Sequence, residues 1–323
     1  MKAIVYNETG GPEVLKWQEY PKPVATGDEV LIEVKAAGLN RPDVFQRQGA
    51  YPAPPGVPAN ILGLEVAGIV AACGPAVKDW KVGDQVCALL GGGGYAEFAL
   101  AREEQCLPIP KGFDFIQAAS LPETVFTVWS NVFQRGKLRS AEKLLIHGGS
   151  SGIGITAIQL ATAQGSPVYV TVGSDDKGKE CLKLGAVRFV NYKTEDFEVV
   201  LADAGIDVVL DMVGGDYLDK NVNILNPDGR IVHINAVAGK GSLNISKMMM
   251  KRLTITGSTL RSRAYEFKKA LAQDIYQHVW PVLESGKFTP VIFNTFRMSD
   301  AAAAHRAIDS GDHIGKIILT SPE

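Results

Sequence analysis

The sequence has no excess of charge of either sign and no long hydrophobic run. Its 323 residues include 33 lysines and arginines against 35 aspartates and glutamates, a formal net charge of −2. This balance excludes attraction of nucleic acid or an anionic membrane by bulk charge, because that attraction requires a marked basic surplus. No stretch approaches the roughly 18 consecutive apolar residues of a membrane-spanning helix.

Cysteine and histidine are also scarce. The four cysteines, Cys73, Cys87, Cys106 and Cys181, form no CxxC pair and no repeated spacing, and there are only five histidines. The first residues, MKAIVYNETGGP, contain no apolar core of a signal peptide. We therefore expect a cytoplasmic protein with free thiols rather than a disulfide-stabilised one.

The sequence does contain two different patterns, which together predict two domains in an α/β protein. In the first part, short alternating runs such as Asp28–Val34 are separated by turns rich in glycine and proline, such as Tyr51–Pro58 and Gly91–Gly94, as in a small β-barrel. Later, short apolar strands alternate with helical segments, as in a doubly wound parallel sheet. The predicted strands of that sheet are Lys143–His147, Val168–Val172, Val187–Val190, Asp207–Leu210, Arg230–Ile234 and Leu253–Gly257.

The last part of the chain contains a long amphipathic helix and a strand. After Arg263, apolar residues recur at helical spacing, and Pro281 is expected to kink or end the helix. The strand predicted at Gly315–Thr320 follows the doubly wound sheet without belonging to its alternation, so we expect it to pack with the first domain. The histidines before it, His305 and His313, are predicted to lie at the surface.

The strongest motif is the segment in which the first strand of the doubly wound sheet runs into a helix. It reads Leu144-Leu145-Ile146-His147-Gly148-Gly149-Ser150-Ser151-Gly152-Ile153-Gly154. Glycines allow a tight turn and a close approach of the backbone to a pyrophosphate, whose charge is stabilised at the positive helix N-terminus. The spacing is G-x-x-G-x-G rather than the usual G-x-G-x-x-G, but its place within a strand–helix series predicts dinucleotide binding.

Two other interpretations fit the same turn. It also matches the G-x-S-x-G turn of serine hydrolases, with Ser150 as nucleophile and Asp211 and His305 as candidate partners. It further resembles the turn of short-chain dehydrogenases, and Tyr265 and Lys269 have the spacing of their catalytic pair. Those enzymes begin at the turn, however, whereas here a whole predicted domain precedes it, and we expect Tyr265 and Lys269 to be surface residues of the amphipathic helix.

With these patterns, the chain resembles the zinc-free quinone oxidoreductase branch of the medium-chain dehydrogenase/reductase superfamily. The similar segments run nearly from end to end, and their order is more specific than any one of them. They are Ala37–Asp43, Arg47–Pro52, Leu62–Gly68, Gly83–Val86, Leu121–Thr124, Lys183–Ala186, Asn191–Lys193, Asp211–Gly215, Leu260–Arg263 and Ile314–Ile317.

The resemblance implies an α/β protein with a GroES-like, partly open β-barrel domain at 1–123 and 264–323. It implies a six-stranded Rossmann domain at 124–263 that binds NADPH, with a cleft between the two domains. It also implies a homodimer formed partly through sheet edges, for which Leu253–Gly257 is the candidate edge strand.

The resemblance further implies a site without metal. Zinc-dependent relatives have a cysteine where this sequence has Asn40 and Gly-His-Glu where it has Gly63-Leu64-Glu65, and Gly91–Gly94 replaces their four-cysteine lobe. A catalytic zinc needs about three nitrogen, sulfur or oxygen ligands. Without a Lewis acid, reduction of an electron-poor acceptor such as a quinone or enone is favoured over alcohol oxidation.

The residues after the second Rossmann strand favour NADPH over NADH. NAD-dependent relatives place an acidic side chain at the end of that strand to bind the ribose 2′-hydroxyl, whereas this sequence has Gly173 and Ser174. By resemblance, Lys177 and Tyr192 are expected to hold a 2′-phosphate. We interpret the two aspartates that follow Ser174 as helix N-capping residues.

The family pattern implies the remaining site residues. Tyr51 matches the active-site tyrosine, whose phenol can donate a hydrogen bond to the substrate oxygen. Asn40 and Thr127, expected at the nicotinamide end, complete the candidate catalytic set, and Lys316 is expected to reach the cofactor from the C-terminal segment. The other expected cofactor contacts are Ser150, Ser151, Gly152, Ile153, Asn235, Ala236, Val237, Ser258, Thr259 and Leu260.

These expectations define a function. We expect an NADPH-dependent reductase that acts on quinones or related conjugated carbonyls, with no nucleic-acid or membrane partner. The alternatives are an enoyl reductase of the same fold, an NADPH-binding protein without catalytic activity, and the serine esterase that would use Ser150.

Overall fold

The structure is a computed structural model that describes residues 1–321. It divides into two compact units: a first unit of Met1–Thr124 together with the chain from Arg261 onwards, and a second unit of Val125–Leu260. The domain boundaries predicted from the sequence, after residues 123 and 263, differ from these limits by a few residues.

Both units contain strands and α-helices. In chain order, the strands are β1 (Lys2–Val5), β2 (Lys16–Glu19), β3 (Glu29–Leu39), β4 (Glu65–Cys73), β5 (Gln85–Leu89), β6 (Phe98–Arg102), β7 (Cys106–Pro108), β8 (Leu144–His147), β9 (Val168–Val172), β10 (Ala186–Asn191), β11 (Ile206–Asp211), β12 (Leu225–His233), β13 (Thr254–Gly257), β14 (Ile292–Arg297) and β15 (Lys316–Thr320). The α-helices are α1 (Arg41–Arg47), α2 (Phe115–Ala118), α3 (Pro122–Val128), α4 (Gly152–Ala163), α5 (Asp175–Lys183), α6 (Phe197–Val200), α7 (Tyr217–Ile224), α8 (Ile245–Lys251), α9 (Tyr265–His278), α10 (Trp280–Glu284) and α11 (Ala301–Ser310). A π-helical segment, Trp129–Arg135, continues α3.

The second unit is built around a parallel sheet. Its strand order is β10-β9-β8-β11-β12-β13, and every neighbouring pair is parallel. In the central strand β8, Leu144, Leu145 and Ile146 are fully buried, as expected for a parallel strand with both faces covered. The predicted six-stranded Rossmann sheet is therefore confirmed.

The first unit contains a mostly antiparallel sheet. Its order is β14-β15-β3-β4-β5-β7, and β6 pairs with β3 outside that path. Along β3, Val30, Ile32 and Val34 are fully buried, as the alternating pattern predicts. The C-terminal strand β15 pairs antiparallel with β3. The expectation that the tail returns to the first domain is thus confirmed.

The C-terminal helices agree in part with the sequence prediction. Helix α9 ends at His278 and α10 begins at Trp280, so the break falls where Pro281 predicts it. The four cysteines are free, as expected. Among residues 1–321, no helix has both the length and the apolar composition needed to cross a bilayer.

The prediction that His305 lies at the surface is wrong. It belongs to α11, which was not predicted and which packs Ala301, Ala304 and Ile308 into the core of the first unit. Because residue 305 falls on the same face of this helix, its ring is fully buried. His313 is partly buried.

Candidate active site

The glycine turn between β8 and α4 has the tight backbone that its sequence predicts. Gly148 has a φ of +79°, which residues with a side chain rarely adopt. A Cβ on Gly149 would lie 2.5 Å from Val170 Cβ, and a Cβ on Gly154 would lie 2.4 Å from the Gly149 carbonyl oxygen. The glycines therefore allow the start of α4 to pack directly against its own turn and against β9.

The N-terminus of α4 is capped from within this turn. Ser151 Oγ accepts a hydrogen bond from the Gly154 amide at 3.0 Å and donates one to the Gly148 carbonyl at 2.8 Å. The helix begins at Gly152, and the first helical amides, here those of Gly152 and Ile153, have no carbonyl partner in a preceding turn. These amides and the helix dipole favour an anionic group at this place.

Most of the predicted cofactor contacts follow the carboxyl ends of strands in the parallel sheet. The strand order reverses between β8 and β11, and ligands of doubly wound sheets bind outside the carboxyl ends at such a point. The predicted residues that follow β8, β9, β12 and β13 are, respectively, Ser150, Ser151, Gly152 and Ile153; Gly173 and Ser174; Asn235, Ala236 and Val237; and Ser258, Thr259 and Leu260. We call this set of residues the nucleotide edge.

Gly173 and Tyr192 lie against each other beyond β9 and β10. A Cβ on Gly173 would be 2.6 Å from the Tyr192 hydroxyl oxygen, and Tyr192 is 49% exposed. Ser174 caps α5, because its Oγ accepts a hydrogen bond from the Lys177 amide at 3.4 Å. Lys177 is therefore in the first turn of α5, close in the chain to the end of β9 that carries no acidic side chain.

The interpretation of the two following aspartates as helix caps is wrong. The cap is Ser174, and Asp175 and Asp176 are the first two residues of α5. Asp175 Oδ1 accepts a hydrogen bond from Asn191 Nδ2 at 2.8 Å, and Asp176 pairs with Lys179 at 3.0 Å. Both carboxylates thus have partners of their own, and both still suit the positive end of the helix dipole.

Thr127 is joined to the end of β13 by hydrogen bonds within the second unit. Asn131 Nδ2 donates to the Thr127 carbonyl at 2.9 Å, and Ser258 Oγ donates to Asn131 Oδ1 at 2.7 Å. Two predicted site residues are therefore held by Asn131, which sequence reasoning missed. The one sequence feature that could have indicated Asn131 is its position about one helical turn after Thr127.

In the first unit, Asn40 and Lys316 belong to a buried charged network, which we call the Lys316 network. Lys316 Nζ donates to Glu65 Oε1 at 2.6 Å, to Asn40 Oδ1 at 2.6 Å and to the Leu39 carbonyl at 3.1 Å. Asn40 Nδ2 donates to the same Glu65 oxygen at 2.8 Å. All three ammonium hydrogens have partners inside the protein, which gives Lys316 a stabilising role, and its contact with the cofactor stays a prediction.

Asp43 holds the backbone around Asn40. Its carboxylate accepts hydrogen bonds from the amides of Asn40 and Gly63 at 2.8 and 3.0 Å, and from the Tyr95 hydroxyl at 3.1 Å. Burial raises the pKa of Asp43 to about 6, although these hydrogen bonds act in the opposite direction. Asp43 therefore fixes the start of α1 against the loop at Gly63.

Tyr51 lies beside a buried arginine. The guanidinium carbon of Arg261 is 5.4 Å from the centre of the Tyr51 ring, and Arg261 Nε donates to the Gly91 carbonyl at 2.7 Å. Burial raises the pKa of the Tyr51 phenol, Glu123 raises it further, and the charge of Arg261 lowers it. The phenol is therefore protonated at neutral pH and can donate a hydrogen bond.

Glu123 supplies a carboxyl group to the same region. Its amide donates to Glu65 Oε2 at 2.8 Å. Burial, and then repulsion from the Glu65 carboxylate, raises the pKa of Glu123 to about 8, while Lys316 and Arg261 lower it. At neutral pH this side chain is therefore largely a neutral acid. We call Asp43, Tyr51, Glu123 and Arg261 the polar cluster.

Sequence reasoning assigned no role to Glu123 or Arg261. In the sequence, each residue was noted only as part of a segment that resembles the family, Leu121–Thr124 or Leu260–Arg263. The sequence feature that could have indicated them is a charged residue next to apolar ones, since Glu123 closely follows Leu121 and Arg261 follows Leu260. In the structure both leucines are buried. Charged residues in such positions are rarely buried unless they have a role.

The histidine contacts do not fit a serine hydrolase. His305 Nδ1 lies 3.2 Å from Arg47 Nη1, and burial, assisted by the Arg47 charge, lowers the pKa of His305 to about 3. Asp211 Oδ2 accepts a hydrogen bond from Asn221 Nδ2 at 3.1 Å, and His147 Nε2 lies 2.8 Å from Asn221 Oδ1. The candidate base and the candidate carboxylate for Ser150 thus belong to separate networks, in different units.

The contacts of the other candidate pair do not fit a short-chain dehydrogenase. Lys269 Nζ lies 2.8 Å from Glu104 Oε1, and the Tyr265 ring stacks under the Arg102 guanidinium at 4.9 Å. Both contacts are within the first unit, whereas the glycine turn belongs to the second. Lys269 and Tyr265 are therefore structural residues of α9.

Across residues 1–321, no three histidine, cysteine, aspartate or glutamate side chains come together in a way that could hold an ion. Of the positions that carry ligands in zinc-dependent relatives, Asn40 supplies an amide and Glu65 is paired with the Lys316 ammonium. A positive ammonium at this place opposes the binding of a metal cation.

Comparisons with known proteins agree with this architecture. Residues 26–111 match the family model described as the alcohol dehydrogenase GroES-like domain, and residues 152–274 match that of zinc-binding dehydrogenases. Quinone oxidoreductase of Mus musculus is 35% identical over 328 residues, which cover 99% of this chain and 97% of the mouse protein. The crystal structure of Escherichia coli quinone oxidoreductase complexed with NADPH has a TM-score of 0.87 at 27% identity, covering 99% of this chain and 100% of that chain. CurK enoyl reductase has a TM-score of 0.87 at 28% identity, covering 99% of each chain.

A GroES-like unit combined with a six-stranded Rossmann sheet defines an oxidoreductase of the dehydrogenase and reductase type, with a nicotinamide cofactor. The chain belongs to the medium-chain dehydrogenase/reductase superfamily, in its quinone oxidoreductase branch. The predicted fold class and the predicted family are both confirmed.

Proposed function

We propose that this protein transfers a hydride from NADPH to a quinone, or to a related conjugated carbonyl compound, without a metal ion. The observation that carries the proposal is the nucleotide edge, where α4 begins with the amides of Gly152 and Ile153. This arrangement suits the pyrophosphate of a dinucleotide, and membership of the quinone oxidoreductase branch supports the acceptor.

NADPH is favoured by the residues beyond β9. Gly173 and Ser174 occupy the place where an acidic side chain would bind a free ribose 2′-hydroxyl. The next carboxylate along the chain, that of Asp175, is already hydrogen-bonded to Asn191. A 2′-phosphate here would meet the positive start of α5 and the Lys177 side chain, and both attract an anion.

The residues of the first unit suit an acceptor that is already electron-poor. The bound reduced nicotinamide would supply the hydride. The Tyr51 phenol is protonated and can donate a hydrogen bond to the substrate oxygen. Asn40 and Thr127 stay predicted neighbours of the nicotinamide. The Asn40 side chain is held by Glu65 and Lys316, and the Thr127 carbonyl accepts a hydrogen bond from Asn131. The amide and the ammonium near Glu65 support a reaction without a Lewis acid.

Enoyl reduction is the second candidate, favoured by the likeness to CurK enoyl reductase. A quinone and an enone are both conjugated carbonyls on which negative charge develops at oxygen after hydride transfer. Both reactions therefore require the polar cluster to stabilise a negatively charged oxygen, and they differ in the shape of the acceptor.

Steady-state oxidation of NADPH with 9,10-phenanthrenequinone tests the proposal, with crotonyl-CoA as the comparison acceptor. We expect turnover of the quinone. Turnover of crotonyl-CoA alone would establish the second candidate instead. Uptake of NADPH in titration calorimetry without turnover of either acceptor would indicate a binding protein, and no uptake of any nicotinamide nucleotide would contradict the proposal.

Lys177→Ala tests the preference for the 2′-phosphate. We expect the Kd for NADPH to rise about tenfold or more, as for the loss of one charge-assisted contact, with little change in the Kd for NADH. Lys179→Ala is the matched control, because this lysine has the same charge on the same helix but pairs with Asp176 and is 64% exposed. Equal changes for both nucleotides in Lys177→Ala would contradict the role.

We also propose a homodimer formed at the β13 edge of the Rossmann sheet. Among the described strands, β13 pairs only with β12, which leaves its other side able to pair with a second strand. Helix α8, which immediately precedes it in the chain, exposes Ile245, Met249 and Met250 by 60, 67 and 71%. Such an apolar set beside an unpaired edge suits a second copy, and sedimentation equilibrium tests this proposal directly.

A further inference from the structure

We propose that Arg261 binds the substrate oxygen on which negative charge develops, and thus acts as the ligand of a phenolate-type or enolate-type oxyanion. The inference rests on the proposed reduction and names the group of this chain that stabilises its product anion.

Arg261 is a buried cation whose terminal nitrogens lack partners. The residue is 8% exposed, and its Nε is anchored on the Gly91 carbonyl at 2.7 Å. Within residues 1–321, neither Nη1 nor Nη2 has a hydrogen-bond partner, although both atoms are buried. Unpaired donors on a buried charge cost free energy, so their retention points to a ligand that completes them.

The glycine run gives this guanidinium its space. A Cβ on Gly92 would lie 3.2 Å from Arg261 Nη2, which is closer than ordinary van der Waals contact. The side chain is therefore held at Nε and packed beside a residue with no side chain. The fork of Nη1 and Nη2 keeps the planar geometry that binds oxygen anions with two parallel hydrogen bonds.

The charge of Arg261 is not neutralised by a direct ion pair. The carboxyl groups of Asp43 and Glu123 are close enough to influence its pKa, which burial lowers. Asp43, however, is occupied by two amides and the Tyr95 hydroxyl, and Glu123 is largely neutral at pH 7. In the described part of the chain, no carboxylate lies within ion-pair distance of the guanidinium, so its positive charge is available to an incoming anion.

The chemistry of the proposed reduction produces such an anion. Hydride transfer gives the quinone two electrons and one hydrogen, and the nicotinamide is oxidised. The resulting hydroquinone monoanion carries its charge on oxygen, where the Nη–H groups of Arg261 and the Tyr51 hydroxyl can donate hydrogen bonds. One proton from solvent then completes the hydroquinone. With an enone, the same groups would hold the enolate oxygen.

The kinetic test compares Arg261→Met with Arg263→Met. Arg263 lies two residues later, is exposed, and stacks on the Phe267 ring at 3.9 Å, so its substitution removes the same charge from the same segment. With NADPH and 9,10-phenanthrenequinone, we expect Arg261→Met to lower kcat about 10²–10³-fold while the Kd for NADPH is unchanged. We expect Arg263→Met to keep both values. A raised Kd for NADPH in Arg261→Met would place the guanidinium on the cofactor and overturn the proposal.

A binding test does not depend on turnover. 4-Nitrophenolate, an oxygen anion with a visible absorption band, is titrated into the complex with oxidised NADP, and neutral nitrobenzene serves as the uncharged control. We expect Arg261→Met to weaken phenolate binding about tenfold or more and to leave nitrobenzene binding unchanged. Equal phenolate affinity in wild type and variant would refute the role of Arg261. Failure of the wild type to turn over any quinone would instead refute only the proposed function.

Gly92→Ala gives a second variant that retains the charge. Its Cβ must displace Nη2, because the two would otherwise be 3.2 Å apart. We expect a loss of about tenfold in kcat from misplacement of the guanidinium, with an unchanged Kd for NADPH. Full activity in a variant whose melting temperature is that of the wild type would count against the proposal.

Discussion

In the second unit the functional region is made of backbone, whereas in the first unit it is made of buried charges. The nucleotide edge depends on glycines that let amide groups approach a ligand, as at Gly149 and Gly154. The polar cluster and the Lys316 network depend on ionisable side chains removed from water, such as Glu65, Asp43 and Arg261. The two regions therefore have different sensitivities to substitution.

This difference shows how each kind of site is maintained. A backbone site fails when a side chain is added, because a Cβ cannot share space with a carbonyl oxygen. A buried-charge site fails when a partner is removed, because the remaining charge has neither water nor a counter-ion.

Lys316→Met should have the largest effect on stability. It leaves the fully buried Glu65 carboxylate without its cation, and loss of one partner of a buried pair costs about 3–5 kcal/mol. Urea unfolding at pH 7 measures this change in the free energy of unfolding. The double variant Lys316→Met, Glu65→Gln should recover part of the loss.

Lys35→Met is the matched control for that substitution. Lys35 pairs with Glu33 through side chains that are 37 and 43% exposed, and such surface pairs contribute about 0–1 kcal/mol. If Lys316→Met cost no more than Lys35→Met, the Lys316 network would not hold the first unit together in the way described.

Gly149→Ala should have an intermediate effect on stability and a clear effect on binding. Its Cβ would meet Val170 Cβ at 2.5 Å, and such overpacking costs about 1–3 kcal/mol. Because the turn must shift, we expect the Kd for NADPH to rise at least about tenfold. Calorimetric titration together with urea unfolding separates the two effects.

Gly112→Ala serves as the control for the glycine turn. Its φ of +87° also strains an alanine, but the added Cβ would meet nothing within 4 Å. It should lose about 1–2 kcal/mol of stability and keep its affinity for NADPH. Equal loss of affinity in both variants would mean that the turn acts through stability alone.

Glu123→Gln should have the smallest effect, and that effect should depend on pH. The pKa of Glu123 is raised from 4.5 to about 8 in the folded protein, so the wild type loses stability as pH rises through this window, because ionising the buried carboxyl is unfavourable. Gln cannot ionise. Relative to wild type, the variant should therefore gain about 1 kcal/mol between pH 6 and pH 9, less than the full pKa shift would give, because the Glu123 side chain as a whole is only partly buried and water reduces the cost of its charge.

Thermal unfolding of Glu142→Gln at the same two pH values is the control. Burial tends to raise the pKa of Glu142, but its hydrogen bonds and charge pairing with Arg230 outweigh burial and lower the pKa. Its stabilising contribution is therefore complete above its ordinary pKa and lost only as pH falls below it. Glu142→Gln should be destabilised equally at pH 6 and pH 9. A pH-independent effect of Glu123→Gln would contradict its raised pKa.

The fold was largely predictable because its signals are local. Apolar runs such as Val168–Val172 and the alternation in Asp28–Val34 report burial through the period of a strand. Helix α11 was missed although Ala301, Ala304 and Ile308 recur at helical spacing, and His305 was therefore assigned to the surface. The cap of α5 was misassigned because serine and aspartate are both favoured caps, and only the backbone angles distinguish Ser174 from Asp175.

The two functional regions were predictable to different degrees. The glycine turn is contiguous, so its residues and their spacing are visible together in the sequence. The polar cluster joins Asp43, Tyr51, Glu123 and Arg261 across more than two hundred positions, as the residue numbers show. Resemblance supplied Tyr51, but the role of Glu123 follows from its raised pKa and that of Arg261 from its buried, unpaired donors, neither of which a sequence displays.

The amino-acid sequence by itself determined the Rossmann alternation, the glycine turn and the family, because each rests on neighbouring residues or on the order of short segments. Only the tertiary structure decided which charges are buried, which are paired and which, like Arg261, keep free donors. The physical reason is that the free energy of a charge depends on the distance to water and to partners far along the chain, and the folded protein sets those distances.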